Sequence, residues 1–136
     1  MKNEDLIQIA IDTLKFSYTP YSNFKVAAAL LTKEGKVYTG CNIENAAYTP
    51  SNCAERTAFF KAVSSGDKEF KKIVIVGGKN GILTDYCAPC GVCRQVMMEF
   101  CNPKSFEIIL AKSETEYKSF LLEELLPMGF GPDNLS

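Results

Sequence analysis

The β-branched run at residues 72–76 (KIVIV) restricts the fold more than any other feature of the sequence. Apolar side chains follow one another there without the alternation of a strand that has one face in water. The pattern is therefore typical of a strand that is buried on both faces. Such a strand needs a sheet with helices packed on it, so the run predicts an α/β fold.

The segments before and after this run predict the same class. The predicted helices are 3–17, 52–64 and 91–100, with a helical turn at 123–126. The predicted strands are 25–32, 36–41, 106–111 and a short one at 117–121, with a hairpin turn at 33–35 and a loop at 77–89. The order of hairpin, helix, strand, helix and strand indicates a mixed sheet with helices packed against it.

The length and the charge balance limit the class of protein further. A chain of 136 residues fits one domain, 1–136, that can bury a core without disulfides. It has 15 basic and 16 acidic side chains, and neither sign forms a long block. Binding to the phosphates of nucleic acid needs a clustered excess of Lys and Arg. The balance therefore argues against a nucleic-acid partner.

The hydropathy pattern argues against a membrane partner. No apolar stretch reaches the ~18 residues that span a bilayer, and residues 1–15 form an amphipathic pattern unlike a signal peptide. We therefore expect a cytoplasmic protein. The 6 cysteines stay reduced in that compartment, so metal binding or catalysis explains them better than disulfides do.

Two short segments, 53–56 (CAER) and 89–94 (PCGVCR), carry the strongest indication of chemistry. Each lies at the start of a predicted helix, where free N–H groups and the helix dipole lower the pKa of a thiol. Zinc binds sulfur tetrahedrally, and catalytic sites commonly use three protein ligands and one open position. Cys53, Cys90 and Cys93 are therefore candidate ligands, and the absence of histidine from the chain excludes a histidine ligand.

Three charged residues beside these cysteines are candidates for the chemistry around the metal. Glu55 follows Cys53 by two positions, so its carboxylate can enter the same cavity and move a proton between water and a substrate nitrogen. Three thiolates outweigh the charge of one Zn²⁺. We expect Arg56 and Arg94 to compensate the excess through hydrogen bonds to thiolate sulfur.

Other interpretations of the cysteines stay open at this stage. Cys87 and Cys90 also have the spacing of a CxxC pair, so Cys87 is a candidate fourth ligand of a closed structural zinc site. A CxxC pair is also found in redox dithiols. Cys41 and Cys101 are expected in the core.

Single residues also have simpler explanations. Glu55 alone is a common kind of first-turn helix acid. Phe24 is a candidate core residue, and Asn42 and Glu44 are candidate turn residues.

Four segments resemble the small homotetrameric cytidine deaminases. They are 18–26 (YTPYSNFKV), 40–48 (GCNIENAAY), 53–58 (CAERTA) and 89–95 (PCGVCRQ), and the resemblance runs over residues 4–130. Cysteine-ligated zinc, a Glu that is not a ligand and a Pro-Cys-x-x-Cys element mark the zinc deaminases. The chain departs from the family pattern at Ala27, where Gly is usual, and in a longer loop at 79–88 that contains Cys87.

This resemblance implies a three-layer α/β/α fold with a mixed sheet of about five strands. It implies one Zn²⁺ per subunit, held by Cys53, Cys90 and Cys93, with Glu55 as the proton shuttle. The implied reaction is hydrolytic deamination of cytidine and 2′-deoxycytidine at C4, giving uridine or 2′-deoxyuridine and ammonia in pyrimidine salvage.

The resemblance also implies substrate contacts. Asn42 and Glu44 are expected to hydrogen-bond the ribose hydroxyls, with Phe24 beside the pyrimidine and the backbone of Ala54 against the base. A site that hydrogen-bonds a hydroxyl strongly rejects an analogue without it. We therefore expect the nucleoside to be preferred over free cytosine.

Neighbouring subunits complete the pocket in the family that this chain resembles. Ala46, Tyr48 and Phe130 are therefore expected to serve a site other than their own in a homotetramer. Two alternative functions remain at this stage: a structural zinc module that binds a partner without catalysis, and a deaminase of a related aminonucleoside.

Overall fold

A computed structural model describes all residues, 1–136, and contains one sheet of five strands. The strands are β1 (Phe24–Thr32), β2 (Val37–Cys41), β3 (Phe70–Lys79), β4 (Glu107–Ala111) and β5 (Tyr117–Leu121). The helices are α1 (Asn3–Thr13), α2 (Ala54–Ser64), α3 (Gly91–Phe100) and α4 (Leu122–Leu125), with 3-10 turns at Leu14–Phe16 and Pro132–Asn134. No helix has both the length and the apolar character that a membrane span requires.

The sheet has the order β2-β1-β3-β4-β5 and is mixed, as predicted. β1 pairs antiparallel with β2 and β3, β3 pairs parallel with β4, and β4 pairs antiparallel with β5. A parallel pair needs a crossover connection, which α3 supplies between β3 and β4. The run 73–76 lies at the centre of this sheet and is 0% exposed, so the predicted burial of both faces is confirmed.

Two apolar cores lie on opposite faces of the sheet. On one face, Ala28 and Leu30 of β1 share a core with Phe59 of α2. On the other face, Ala27 of β1 shares a core with Leu6 of α1. Successive side chains of a strand point to opposite faces, so β1 contributes to both cores. The predicted three-layer α/β/α arrangement is confirmed.

Two element boundaries differ from the predicted ones by more than two residues. α1 ends at Thr13 and continues as a 3-10 turn, whereas the sequence pattern predicted helix to residue 17. The Thr13 hydroxyl donates to the Ile9 carbonyl over 2.8 Å, a side-chain bond that disfavours continuation of a helix. β3 extends to Lys79, which pairs with Phe24, although residues 77–79 were predicted as loop because two glycines interrupt the apolar run.

Gly40 sets the distance between β2 and α2. A Cβ atom at this position would lie 2.4 Å from the Ala54 carbonyl oxygen and 2.5 Å from the Ala58 amide nitrogen. Only a residue without a side chain permits so close an approach. The N-terminus of α2 therefore lies directly against the end of β2.

Candidate active site

Two helices begin at the proposed metal ligands. Cys53 is the N-cap of α2 and Cys90 is the N-cap of α3, each with extended backbone angles. Cys93 lies in the first turn of α3 and is 1% exposed. The first amides of a helix have no intrahelical partner and carry partial positive charge, which favours thiolates at these positions.

The three sulfur atoms form one cluster. The Sγ atoms of Cys53 and Cys90 are 3.7 Å apart, those of Cys90 and Cys93 are 3.5 Å apart, and all three lie within 4.8 Å of one another. Sulfur ligands at about 2.3 Å from a tetrahedral zinc ion are separated by about 3.8 Å. The donor type and the separations therefore fit a single zinc ion.

Cys87 does not belong to this cluster. No group of four ligand atoms within 4.8 Å of one another forms there, so the closed four-sulfur site considered from the sequence is not assembled. The Cys87 side chain instead packs over Gly77, where a Cβ atom would lie 2.9 Å from its sulfur. Burial raises the pKa of the Cys87 thiol to about 11, so this thiol stays protonated at neutral pH.

Arg56 interacts with the cluster as predicted. Its Nη2 donates to the Cys53 sulfur over 3.3 Å, whereas its buried Nε has no hydrogen-bond partner. Hydrogen bonds from Cys93 and Arg56 lower the pKa of the Cys53 thiol to about 5, and the bond to Cys53 raises the pKa of Arg56. A fixed guanidinium therefore stabilises negative charge on the sulfur cluster.

Arg94 does not make the predicted hydrogen bond to thiolate sulfur. Its Nε donates to the Pro89 carbonyl over 2.7 Å and its Nη1 to the Leu125 carbonyl over 2.6 Å. These two bonds direct the side chain from α3 towards α4. Arg94 therefore joins two backbone segments and is not a ligand of sulfur.

Cys41 and Cys101 were both expected in the core. Cys41 is 8% exposed and Cys101 is 9% exposed, so the expectation is confirmed.

Glu55 has an environment unlike that of an ordinary first-turn acid. It is 4% exposed and its carboxylate lies outside the sulfur cluster. Burial, reinforced by the charge of Cys53, raises the pKa of Glu55 to about 7. Its carboxyl group therefore exchanges its proton near neutral pH.

A cavity of about 370 Å³ connects Glu55 with the sulfur cluster. Its lining comes from the start of β1, the segment after β2, the start of α2 and the loop before α3. Seven of the lining residues were predicted for the site from the sequence: Asn42, Glu44, Cys53, Ala54, Glu55, Arg56 and Cys90. Cys87, the candidate fourth ligand, also lines the cavity. Val26, Ser51, Asn52 and Ala88 were not predicted, because ordinary strand, turn and loop residues carry no sign of the tertiary contact that brings them here.

Asn42 fixes the wall of this cavity through both ends of its amide. The oxygen accepts from the Val26 amide over 2.9 Å, and the nitrogen donates to the Phe24 carbonyl over 2.8 Å. An amide carries two donors and two acceptor positions. One of each therefore stays free for a ligand in the cavity.

Glu44 is held by the loop that precedes β1. Its carboxylate accepts from the amides of Tyr21 over 3.0 Å and Ser22 over 3.2 Å, and from the Ser22 hydroxyl. These bonds, that of the hydroxyl above all, lower the pKa of Glu44 below its ordinary value. The carboxylate is ionised and fixed at the rim of the cavity.

The remaining predicted contacts lie outside this cavity. Phe24 is 42% exposed, Tyr48 74% and Phe130 57%, and Ala46 is also exposed. Tyr48 adopts a left-handed backbone with φ of 62° and lines a second depression, which shares Glu44 and Ser51 with the cavity. Within a single chain, the structure therefore brings Ala54 to the cavity but not these four residues.

Comparisons with known proteins agree on one family. The family model described as "Cytidine and deoxycytidylate deaminase zinc-binding region" matches residues 1–108. A cytidine deaminase from Sporosarcina psychrophila is 45% identical over 136 residues, covering 100% of this chain and 96% of that protein. A cytidine deaminase from Halalkalibacterium halodurans is 41% identical, covering 100% of this chain and 99% of that protein.

A solved structure supports the same assignment. The crystal structure of cytidine deaminase from Burkholderia pseudomallei has a TM-score of 0.87 and 44% identity, and the match covers 96% of this chain and 100% of that one. A three-sulfur centre at two helix N-termini in an α/β/α fold defines a zinc-binding enzyme of the deaminase class. The chain belongs to the cytidine and deoxycytidylate deaminase family.

Proposed function

We propose that this chain removes the 4-amino group of cytidine and 2′-deoxycytidine by hydrolysis, giving uridine or 2′-deoxyuridine and ammonia. One observation carries the proposal: the buried Glu55 lines a single cavity together with Cys53 and Cys90, which form a sulfur cluster with Cys93. A metal-binding cluster and an acid–base group in one cavity are the two components that hydrolysis of an amidine C–N bond requires.

The residues of this cavity divide the proposed reaction between them. Zinc, when bound by the three thiolates, supplies the Lewis acidity that makes water nucleophilic near neutral pH. Glu55 accepts a proton from the attacking water and returns it to ring N3. The second proton of the attacking water goes to the leaving amine as the C4–N bond breaks. Ammonia departs, and C4 carries the oxygen of the water.

The rim of the cavity supports a nucleoside as the substrate. Asn42 has one free donor and one free acceptor position there, and Glu44 is an ionised acceptor. The sugar hydroxyls of a nucleoside supply matching donors and acceptors; 2′-deoxycytidine retains the 3′-hydroxyl, whereas free cytosine has no sugar. We therefore propose that these two residues recognise the ribose hydroxyls, and that Phe24 and the Ala54 backbone position the base.

The assembly and the location of the enzyme are also proposals. We propose a homotetramer whose pockets are completed by Ala46, Tyr48 and Phe130 of other subunits. The exposure of these residues in one chain supports this arrangement. Sedimentation velocity tests the tetramer directly.

We also propose that residues 1–136 form one domain that acts in the cytoplasm.

Mixing the purified zinc-loaded protein with cytidine tests the activity. We expect the ultraviolet absorbance of cytidine to fall while ammonia appears in equal amount, and we expect no change with Glu55→Ala, which keeps its zinc. Cytosine is expected to react far more slowly. A wild-type protein that holds zinc but is inert on all nucleosides tried would instead support a structural zinc module.

A further inference from the structure

Arg94 connects two segments that are distant in sequence. Its Nε donates to the carbonyl of Pro89, directly before Cys90, and its Nη1 donates to the carbonyl of Leu125 at the end of α4. Both bonds are short, at 2.7 Å and 2.6 Å. Pro89 is buried, so its carbonyl would lack a partner without Arg94.

The backbone of the segment that Arg94 holds has few other hydrogen bonds. Residues 83–89 belong to no helix or strand, and their amides and carbonyls form no backbone–backbone hydrogen bond. The Tyr86 amide binds the neighbouring Asp85 carboxylate, which leaves the bond to Arg94 as the one that ties the backbone of this segment to the rest of the protein. Cys90, at the end of the segment, is exposed.

We propose that Arg94 is a positioning residue for the metal centre: it holds the backbone before Cys90 against α4 and so places the Cys90 sulfur beside those of Cys53 and Cys93. The proposal rests on the zinc-ligand role of Cys90 in the proposed function, but it does not depend on which substrate the enzyme uses. Residues outside the ligand set that orient a ligand commonly alter metal affinity by about 10- to 100-fold.

A lysine at this position separates positioning from charge compensation. Arg94 reaches the two carbonyls through two nitrogens of a rigid planar group, whereas a lysine keeps the charge on one flexible nitrogen. If Arg94 acted through its charge on the thiolates, Arg94→Lys would preserve zinc binding. If Arg94 acts through its hydrogen bonds to the two backbone carbonyls, Arg94→Lys loses zinc as readily as Arg94→Gln does.

The test measures zinc release from the zinc-loaded wild type, Arg94→Lys and Arg94→Gln into excess 4-(2-pyridylazo)resorcinol. We expect both variants to release zinc at least about tenfold faster than the wild type. Gln95→Ala is the matched control. It removes a hydrogen bond of 2.8 Å from the next residue of α3 to the Phe130 carbonyl and leaves the segment before Cys90 untouched, so we expect release at the wild-type rate.

Two results would overturn the proposal. One is wild-type zinc release from Arg94→Lys, which would assign the role to charge. The other is zinc release that merely keeps pace with global unfolding of the same variant, followed by circular dichroism, which would assign a general structural role. A wild type that holds zinc but does not react with cytidine would overturn the proposed function. The comparison of zinc release between the wild type and the Arg94 variants would still decide the role of Arg94.

Discussion

The sulfur atoms of Cys53 and Cys90 lie 3.7 Å apart although the two cysteines are 37 positions apart in the sequence. Each cysteine is the N-cap of a helix, so the positive ends of α2 and α3 converge on the same point. Negative charge on these sulfurs is stabilised by both helices at once. The geometry explains how a chain without histidine can hold a cation through thiolates alone.

Glu55→Gln is expected to lower kcat for cytidine by at least about 100-fold, because the amide cannot accept and return a proton. The zinc content should stay at one ion per chain, since Glu55 lies outside the sulfur cluster. Steady-state rates and atomic absorption check the two outcomes. Glu114→Gln, which changes an exposed acid on the β4–β5 turn, is the control and should match the wild type in both measurements. Full activity of Glu55→Gln would remove Glu55 from the proposed mechanism.

Gly40→Ala is expected to destabilise the protein by about 2 kcal/mol or more, because the new methyl group would overlap the backbone of α2. The displaced helix carries Cys53, so faster zinc release should accompany the loss. Urea denaturation and a chelator assay measure these effects. Gly91→Ala is the matched control: it lies next to Cys90, but a Cβ atom there meets nothing within 4 Å. Similar behaviour of the two variants would contradict the packing argument.

Ser22→Ala is expected to raise KM for cytidine more than it lowers kcat. The hydroxyl of Ser22 lowers the pKa of Glu44, so its loss moves that pKa upward towards the ordinary value. The rise of KM on the acidic side should therefore begin at a higher pH than in the wild type. Ser119→Ala removes a similar bond from a serine hydroxyl to an exposed carboxylate, that of Glu107, away from the cavity. It should leave the pH profile of KM unchanged, and an equal shift in both variants would rule out a local effect on Glu44.

Asp67→Asn is expected to make stability less dependent on pH. The Tyr38 hydroxyl and Lys36 lower the pKa of Asp67 in the folded protein. Because the folded pKa lies below the unfolded one, the resulting stabilisation is fully present above the unfolded value. It is lost as the pH falls through the folded value.

Urea denaturation of the wild type and Asp67→Asn at neutral and strongly acidic pH measures this difference. The two proteins should differ at neutral pH and converge in acid. Tyr38→Phe, combined with Asp67→Asn, should change the pH dependence little further, because the titrating carboxylate is already absent. A difference between the wild type and Asp67→Asn that persists in strong acid would show that charge is not the cause.

Much of the fold and the clustering of the three thiols followed from local sequence patterns. The run at 72–76, which is apolar and β-branched from Ile73 onward, predicted a central strand, and cysteines at the starts of two predicted helices predicted a shared sulfur centre. The strand and the two helix starts depend on residues within one or two turns of the chain, whereas the shared sulfur centre was inferred from the need of a zinc ion for three protein ligands. Composition and spacing therefore report them directly.

Features that depend on distant partners did not follow. Arg94 was expected to bind a thiolate, but its donors reach carbonyls at Pro89 and at Leu125, and the latter lies 31 residues away. Nothing in the order of residues indicates that α4 ends beside α3. The contact of Ser22 with Glu44 was missed for the same reason, because the two residues are 22 positions apart.

The two hydrogen bonds between the Asn42 side chain and the backbone have a consequence for substrate recognition. Its amide is immobilised by the start of β1 as the sheet forms, so no rotamer freedom remains to be lost when a sugar arrives. Because of this preorganisation, the affinity of the pocket for its ligand depends on the structure of the start of β1. A substitution at Asn42 therefore perturbs both together, whatever side chain replaces it.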